Sequence, residues 1–60
     1  MTIDELIQDL QRRATAAADL ANDYAADIRH AADYVRCRGK ADAYAHAAEL
    51  AREFKKAQEP

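Results

Sequence analysis

From Ile3 onward the apolar residues recur at alternating spacings of four and three: Ile3, Ile7, Leu10, Ala14, Ala17, Ala21, Tyr24, Ile28, Ala31 and Val35. A stripe of that period is the seam of a helix packed knobs into holes, and it predicts a first helix over about 3–37. With Ile7 as position a, the flanks carry Ala18, Ala25 and Ala32 on one side and Leu6, Leu20 and Tyr34 on the other. This face is wider than a two-stranded seam needs and suits a bundle, in which each helix touches two neighbours. Thr2 followed by Glu5 reads as a capping box, hydroxyl to amide in one direction and carboxylate to amide in the other, so the helix should begin at Ile3. Asp4 and Glu5 also suit the positive end of the helix dipole.

Continued past Val35, the same spacing would put Arg38 and Asp42 in the seam. Arg36, Arg38 and Lys40 around Gly39 compose a helix C-terminus instead, with basic side chains at the negative end and a glycine free to take the left-handed position. The expected turn is therefore about 38–41, followed by a second helix over about 42–57 with Ala43, Ala47, Leu50, Phe54 and Ala57 inward. The rival reading runs one helix through Gly39 at about 1 kcal/mol; Tyr34, Cys37, Ala41, Tyr44, Ala48 and Ala51 form a second stripe across the glycine that favours it. Glu59 and Pro60 should fray. The fold class expected is all-α: an antiparallel helical hairpin, long first helix and short second helix. Helices of about 52 and 25 Å would leave Ile3, Leu6, Ile7 and Leu10 uncovered, and such a patch marks an interface. Two hairpins closing as a twofold, four-helix-like dimeric bundle would cover it.

Composition strengthens the need for a second copy. The chain has 60 residues, enough for one domain, and 16 of its 30 apolar residues are alanine. Chains of this size are marginal alone, and alanine adds little burial. The alanines at seam positions should let helices approach closely. No apolar run is long enough for a membrane span. The N-terminus is acidic rather than basic, so no signal peptide is expected. One cysteine, Cys37, makes no internal disulfide, and a cytoplasmic setting follows as the expectation.

The net charge of −2 is unevenly placed. Residues 1–28 are acidic, residues 29–40 basic through Arg29, Arg36, Arg38 and Lys40, and residues 41–60 nearly balanced. Asp19, Asp23 and Asp27 form an i, i+4, i+8 column that His30 extends, and Asp42, His46 and Glu49 form another on the second helix. Asp and His at these spacings could hold a divalent ion if the hairpin brought the two columns together. No paired Glu-x-x-His motif of the di-iron bundles occurs, and a solvated acidic face explains the same residues. The basic segment could meet nucleic-acid phosphates or an acidic protein, or serve only as a helix cap. No recognition-helix or aromatic-interleaved signature accompanies it.

Tyr24, Tyr34 and Tyr44 fit a core or rim role. Cys37 has no Cys-x-x-Cys partner, and a helix C-terminus opposes thiolate formation. The chain has no serine and no glycine-rich phosphate loop. No catalytic residue, cofactor or resident metal is expected. In length and layout the chain resembles the plasmid-encoded RNA-binding hairpin dimers, a likeness of architecture that carries no residue across.

The function expected is that of a small non-catalytic homodimeric helical protein, of phage or bacterial kind, acting as a protein-interaction or regulatory module. The alternatives are a nucleic-acid-binding regulator that uses the basic turn, and a metal-binding bundle. Ile3, Leu6, Ile7, Leu10, Ala14, Ala17, Ala21, Tyr24, Ile28, Val35, Leu50 and Phe54 are the expected core or dimer interface. Arg29, Arg36, Arg38, Lys40, Asp19, Asp23 and Asp27 are the expected partner-binding residues. The partners expected are a second copy, another protein or, less favoured, nucleic acid, with no membrane.

Overall fold

The first helix, α1 (Ile3–Ala25), starts where its cap dictates: the Glu5 amide donates to Thr2 Oγ1 at 3.1 Å. The reciprocal bond to the Glu5 carboxylate is not formed, so half of the capping box closes. The computed structural model describes Met1–Glu59; the expected fraying of Pro60 lies outside those residues. Two helices run antiparallel, α1 and α2 (Ala31–Gln58), joined through Ala26, Asp27 and a single 3-10 turn, Ile28–His30. At the far end the Glu59 amide donates to the carbonyls of Lys55 and Lys56, closing α2.

The hairpin is as expected, but its turn is not. The chain reverses at 26–30 rather than 38–41, so the first helix has 23 residues and the second 28. The expected order of a long helix followed by a short one is corrected. Asp27 makes the reversal. Its backbone is extended (φ −136°, ψ 116°), and its Oδ1 accepts the Arg29 amide at 2.9 Å. The Asp27 amide donates to the Tyr24 carbonyl at 3.2 Å and the His30 amide to the Asp27 carbonyl at 2.9 Å. An aspartate whose side chain captures a nearby amide offers the backbone an alternative to helix. No glycine or proline is needed.

Gly39 lies within α2 with no positive φ, and a Cβ there would meet nothing. A single interior glycine costs about 1 kcal/mol, which the alanine-rich residues around it tolerate. The reversal at Asp27 also gives each helix a neighbour along its length, about 34 Å beside about 42 Å. A reversal at Gly39 would have left about half of the first helix bare.

The seam of α1 is the one its spacing predicts. Ile7 and Ala21 are buried, and Ile3, Leu6, Leu10, Ala14, Ala17 and Tyr24 are half-buried. In α2 the inward face is the stripe that crosses the glycine: Cys37, Ala41 and Ala48 are buried, and Tyr44, Ala47 and Ala51 half-buried. The set expected inward on the second helix is mostly outward, with Ala43, Leu50, Phe54 and Ala57 all exposed. Because α2 covers the start of α1, the expected bare patch at Ile3–Leu10 does not exist. Lys55 Nζ lies 2.6 Å from Asp4 Oδ1 and ties the open end of the hairpin. The result is a rod of 51 × 15 × 13 Å.

Candidate functional site

On the α2 side the buried residues of the inner seam are small, Cys37, Ala41 and Ala48, and they meet Ile7 and Ala21 of α1, the small side chains letting the two backbones lie close. Several large apolar side chains lie outside the seam. Ile28 is 91% exposed, Val35 68%, Phe54 59% and Leu50 51%. At 100° per residue, Ala32, Val35, Gly39, Ala43, Leu50, Phe54 and Ala57 fall on one side of the second helix, interspersed with Arg36, His46 and Glu53. That side is opposite the Cys37–Ala41–Ala48 seam. The outer face of α1 is the contrary case: Glu5, Gln8, Arg12, Thr15, Asp19 and Asp23 are exposed and polar. One helix is amphipathic and solvated outside. The other exposes Val35, Leu50 and Phe54 on the side away from its buried seam, among Arg36, His46 and Glu53.

The basic residues do not form one patch. Arg29 pairs with Asp27 at 2.7 Å, Arg36 with Asp33 at 2.6 Å and Arg38 with Asp42 at 3.5 Å. Arg36 and Lys40 share a side of α2, while Arg38 lies roughly 200° round the axis from Arg36. Lys40 has no ion-pair partner among the described residues. The side-chain bond from Arg29, backed by the Arg29 amide, holds the Asp27 carboxyl below its ordinary range. The Asp33 carboxyl is lowered first by its bond to His30, 3.1 Å away, and then by Arg36. Asp33 thus bridges the His30 ring and the Arg36 guanidinium at the start of α2. Arg13, bonded to Asp9 at 2.8 Å and beside Tyr44, has its already high pKa raised further.

Asp19 and Asp23 remain exposed on α1, but Asp27 leaves their column to make the turn. The second column does not approach His30. Asp42 lies beside Ala14, Thr15 and Ala18, and Glu49 beside Gln11 and Thr15. This displacement follows from moving the turn to 26–30. Among the described residues no three His, Cys, Asp or Glu side chains group as a metal site requires. Cys37 is buried in the seam. At the turn, a hollow of about 430 Å³ is lined by Tyr24, Ala25, Asp27, Ile28, Ala31 and Tyr34. The Tyr24 ring also lies near the His30 ring, with centroids 5.1 Å apart. No helix among the described residues is long and apolar enough to cross a membrane.

Ile28, Val35, Leu50 and Phe54, expected in the core or at a dimer interface, are not in the core of the hairpin: Leu50 and Phe54 share a helical period with Val35, and that period lies on the side of α2 away from α1. Comparison with protein families, with characterised proteins and with solved structures gives no match to this chain.

Proposed function

We propose that the chain is a non-catalytic, self-associating helical interaction module: a homodimer whose joined hairpins present polar outer surfaces to a regulatory protein partner. The observation that carries this reading is the exposure of Val35, Leu50 and Phe54 on the outward side of α2, which the chain's own fold leaves bare. A two-helix hairpin is one layer, and stable domains are built from at least two packed layers. The polar outer face of α1, with Asp19 and Asp23, then supplies the outward recognition surface.

The nucleic-acid alternative has less support. Phosphate binding draws on free Lys and Arg, and three of the four basic residues are already engaged by carboxylates of the same chain. Sedimentation equilibrium of the native chain, beside titration with RNA and DNA at low salt, tests the reading. Dimerisation without nucleic-acid binding supports it. A monomer at all concentrations overturns it. Salt-sensitive binding of RNA or DNA, lost on replacing Arg36, Arg38 and Lys40, transfers the function to the alternative.

A further inference from the structure

We propose that a second copy of this chain covers the outer face of α2, the two α2 helices packing antiparallel across a twofold axis beside Ala43. The inference rests on the self-association reading above and names the surface that performs it. Three observations converge on a copy as the occupant.

The first is area. A folded monomer of 6.7 kDa exposes about 3,900 Å², whereas this chain exposes 4630 Å². The surplus of about 700 Å² is close to the roughly 800 Å² that each partner buries in a standard protein interface. The radius of gyration of 14.1 Å likewise exceeds the roughly 10 Å of a compact domain of this length. A second rod laid alongside corrects both.

The second is shape. Along the outer face the large apolar residues stand at the ends, Val35 on one side and Leu50 and Phe54 on the other. The middle holds Gly39 and Ala43, with His46 between them and Leu50. A twofold axis beside Ala43 sets Val35 against the partner's Leu50, and Ala32 against the partner's Phe54. The same register sets Gly39 against the facing helix at the partner's His46. Nothing within the hairpin calls for a glycine there: its φ is not positive and a Cβ would have open space. A close helix crossing accounts for it.

The third is charge. The half of α2 and its entry turn spanning residues 28–41 holds Arg29, Arg36, Arg38 and Lys40 against Asp33, a net +3. Residues 42–58 hold Asp42, Glu49 and Glu53 against Arg52, Lys55 and Lys56, a net of zero. Antiparallel pairing lays each positive half along a neutral half, whereas parallel pairing lays the two positive halves together. Like-charge juxtaposition is costly and selects the antiparallel orientation. Asp42, the acid nearest the axis, is already paired with Arg38 at 3.5 Å.

Sedimentation equilibrium on the full chain and on Val35→Asp, Leu50→Asp, Gly39→Leu and Ala16→Lys variants tests the assignment, with far-UV circular dichroism to follow helix content. Burying an unpaired carboxylate at the contact should raise the dimer dissociation constant at least about a hundredfold in the two Asp variants. Gly39→Leu should weaken the dimer while keeping or raising helicity, because leucine is the better helix former. Ala16→Lys, on the polar side of α1, should leave association unchanged. Oxidative mixing of Val35→Cys and Leu50→Cys chains in a Cys37→Ala background should give the mixed disulfide over either self-disulfide.

A native dimer that survives Val35→Asp, Leu50→Asp and Gly39→Leu intact overturns the face while leaving self-association standing. Predominant self-disulfides overturn the antiparallel arrangement. A native chain that stays monomeric overturns both this inference and the self-association reading, and assigns the face to a different partner.

Discussion

At Asp27 one carboxylate sets the turn twice over, by accepting the Arg29 amide and by pairing with the Arg29 side chain at 2.7 Å. Its pKa is lowered in the folded chain. A carboxyl lowered by folding contributes stability above its unfolded value, about 4, and loses it as pH falls through the lower folded value. The Arg29 amide should therefore keep its hydrogen-exchange protection at neutral pH and lose it in acid. Asp33, lowered in the same direction, should act in parallel at the start of α2. In Asp27→Asn, which still caps but cannot pair, the Asp27 share of that acid dependence should vanish; an unchanged acid profile would show that Asp27 does not hold the turn. At the other end, Thr2→Ala removes the acceptor for the Glu5 amide. It should cost about 1 kcal/mol, measurable as a lower thermal midpoint. The Thr2 cap was legible from residue types alone. The Asp27 cap was not, because aspartate in an alanine-rich helix is an ordinary solvated residue until something makes the chain turn there.

Both helices were legible as helices, and the seam of α1 was legible residue by residue. The turn was hidden because it preserves the period. Tyr24, Ile28, Ala31 and Val35 keep the 4-3-4 spacing although the chain reverses between Tyr24 and Ala31, so a one-dimensional stripe reads straight through. Gly39 misled in the opposite sense, as a break that a long alanine-rich helix absorbs. The Cys37–Ala41–Ala48 stripe faces α1 because small side chains allow the closer approach. Ala21, fully buried at 0% exposure, should tolerate no enlargement. Ala21→Leu should cost about 1–3 kcal/mol by overpacking, lowering the thermal midpoint by roughly 4–8 °C per kcal/mol. The same change at exposed Ala16 should be close to neutral; equal effects at the two sites would mean the seam is loosely packed.

For the whole molecule, the buried set of Ile7, Ala21, Cys37, Ala41 and Ala48 contains one large side chain, too little core for a comfortable monomer. If a second copy supplies the remainder, folding and assembly are one equilibrium and thermal stability depends on concentration. Tenfold more protein should add about 1.4 kcal/mol to the assembled state, so melting curves recorded across concentrations should shift upward. A midpoint independent of concentration would indicate that the hairpin stands alone. The sequence by itself determined that this chain is helical, where α1 begins, which residues line its seam and that large apolar side chains are scarce. Those properties follow from period and propensity, which are local. Only the tertiary structure decided where the chain reverses and therefore which stripe of α2 faces inward. That choice is non-local: it depends on which face of α2 packs more closely against α1. Alanine and cysteine won the inner seam, leaving Ile28, Val35, Leu50 and Phe54 outside.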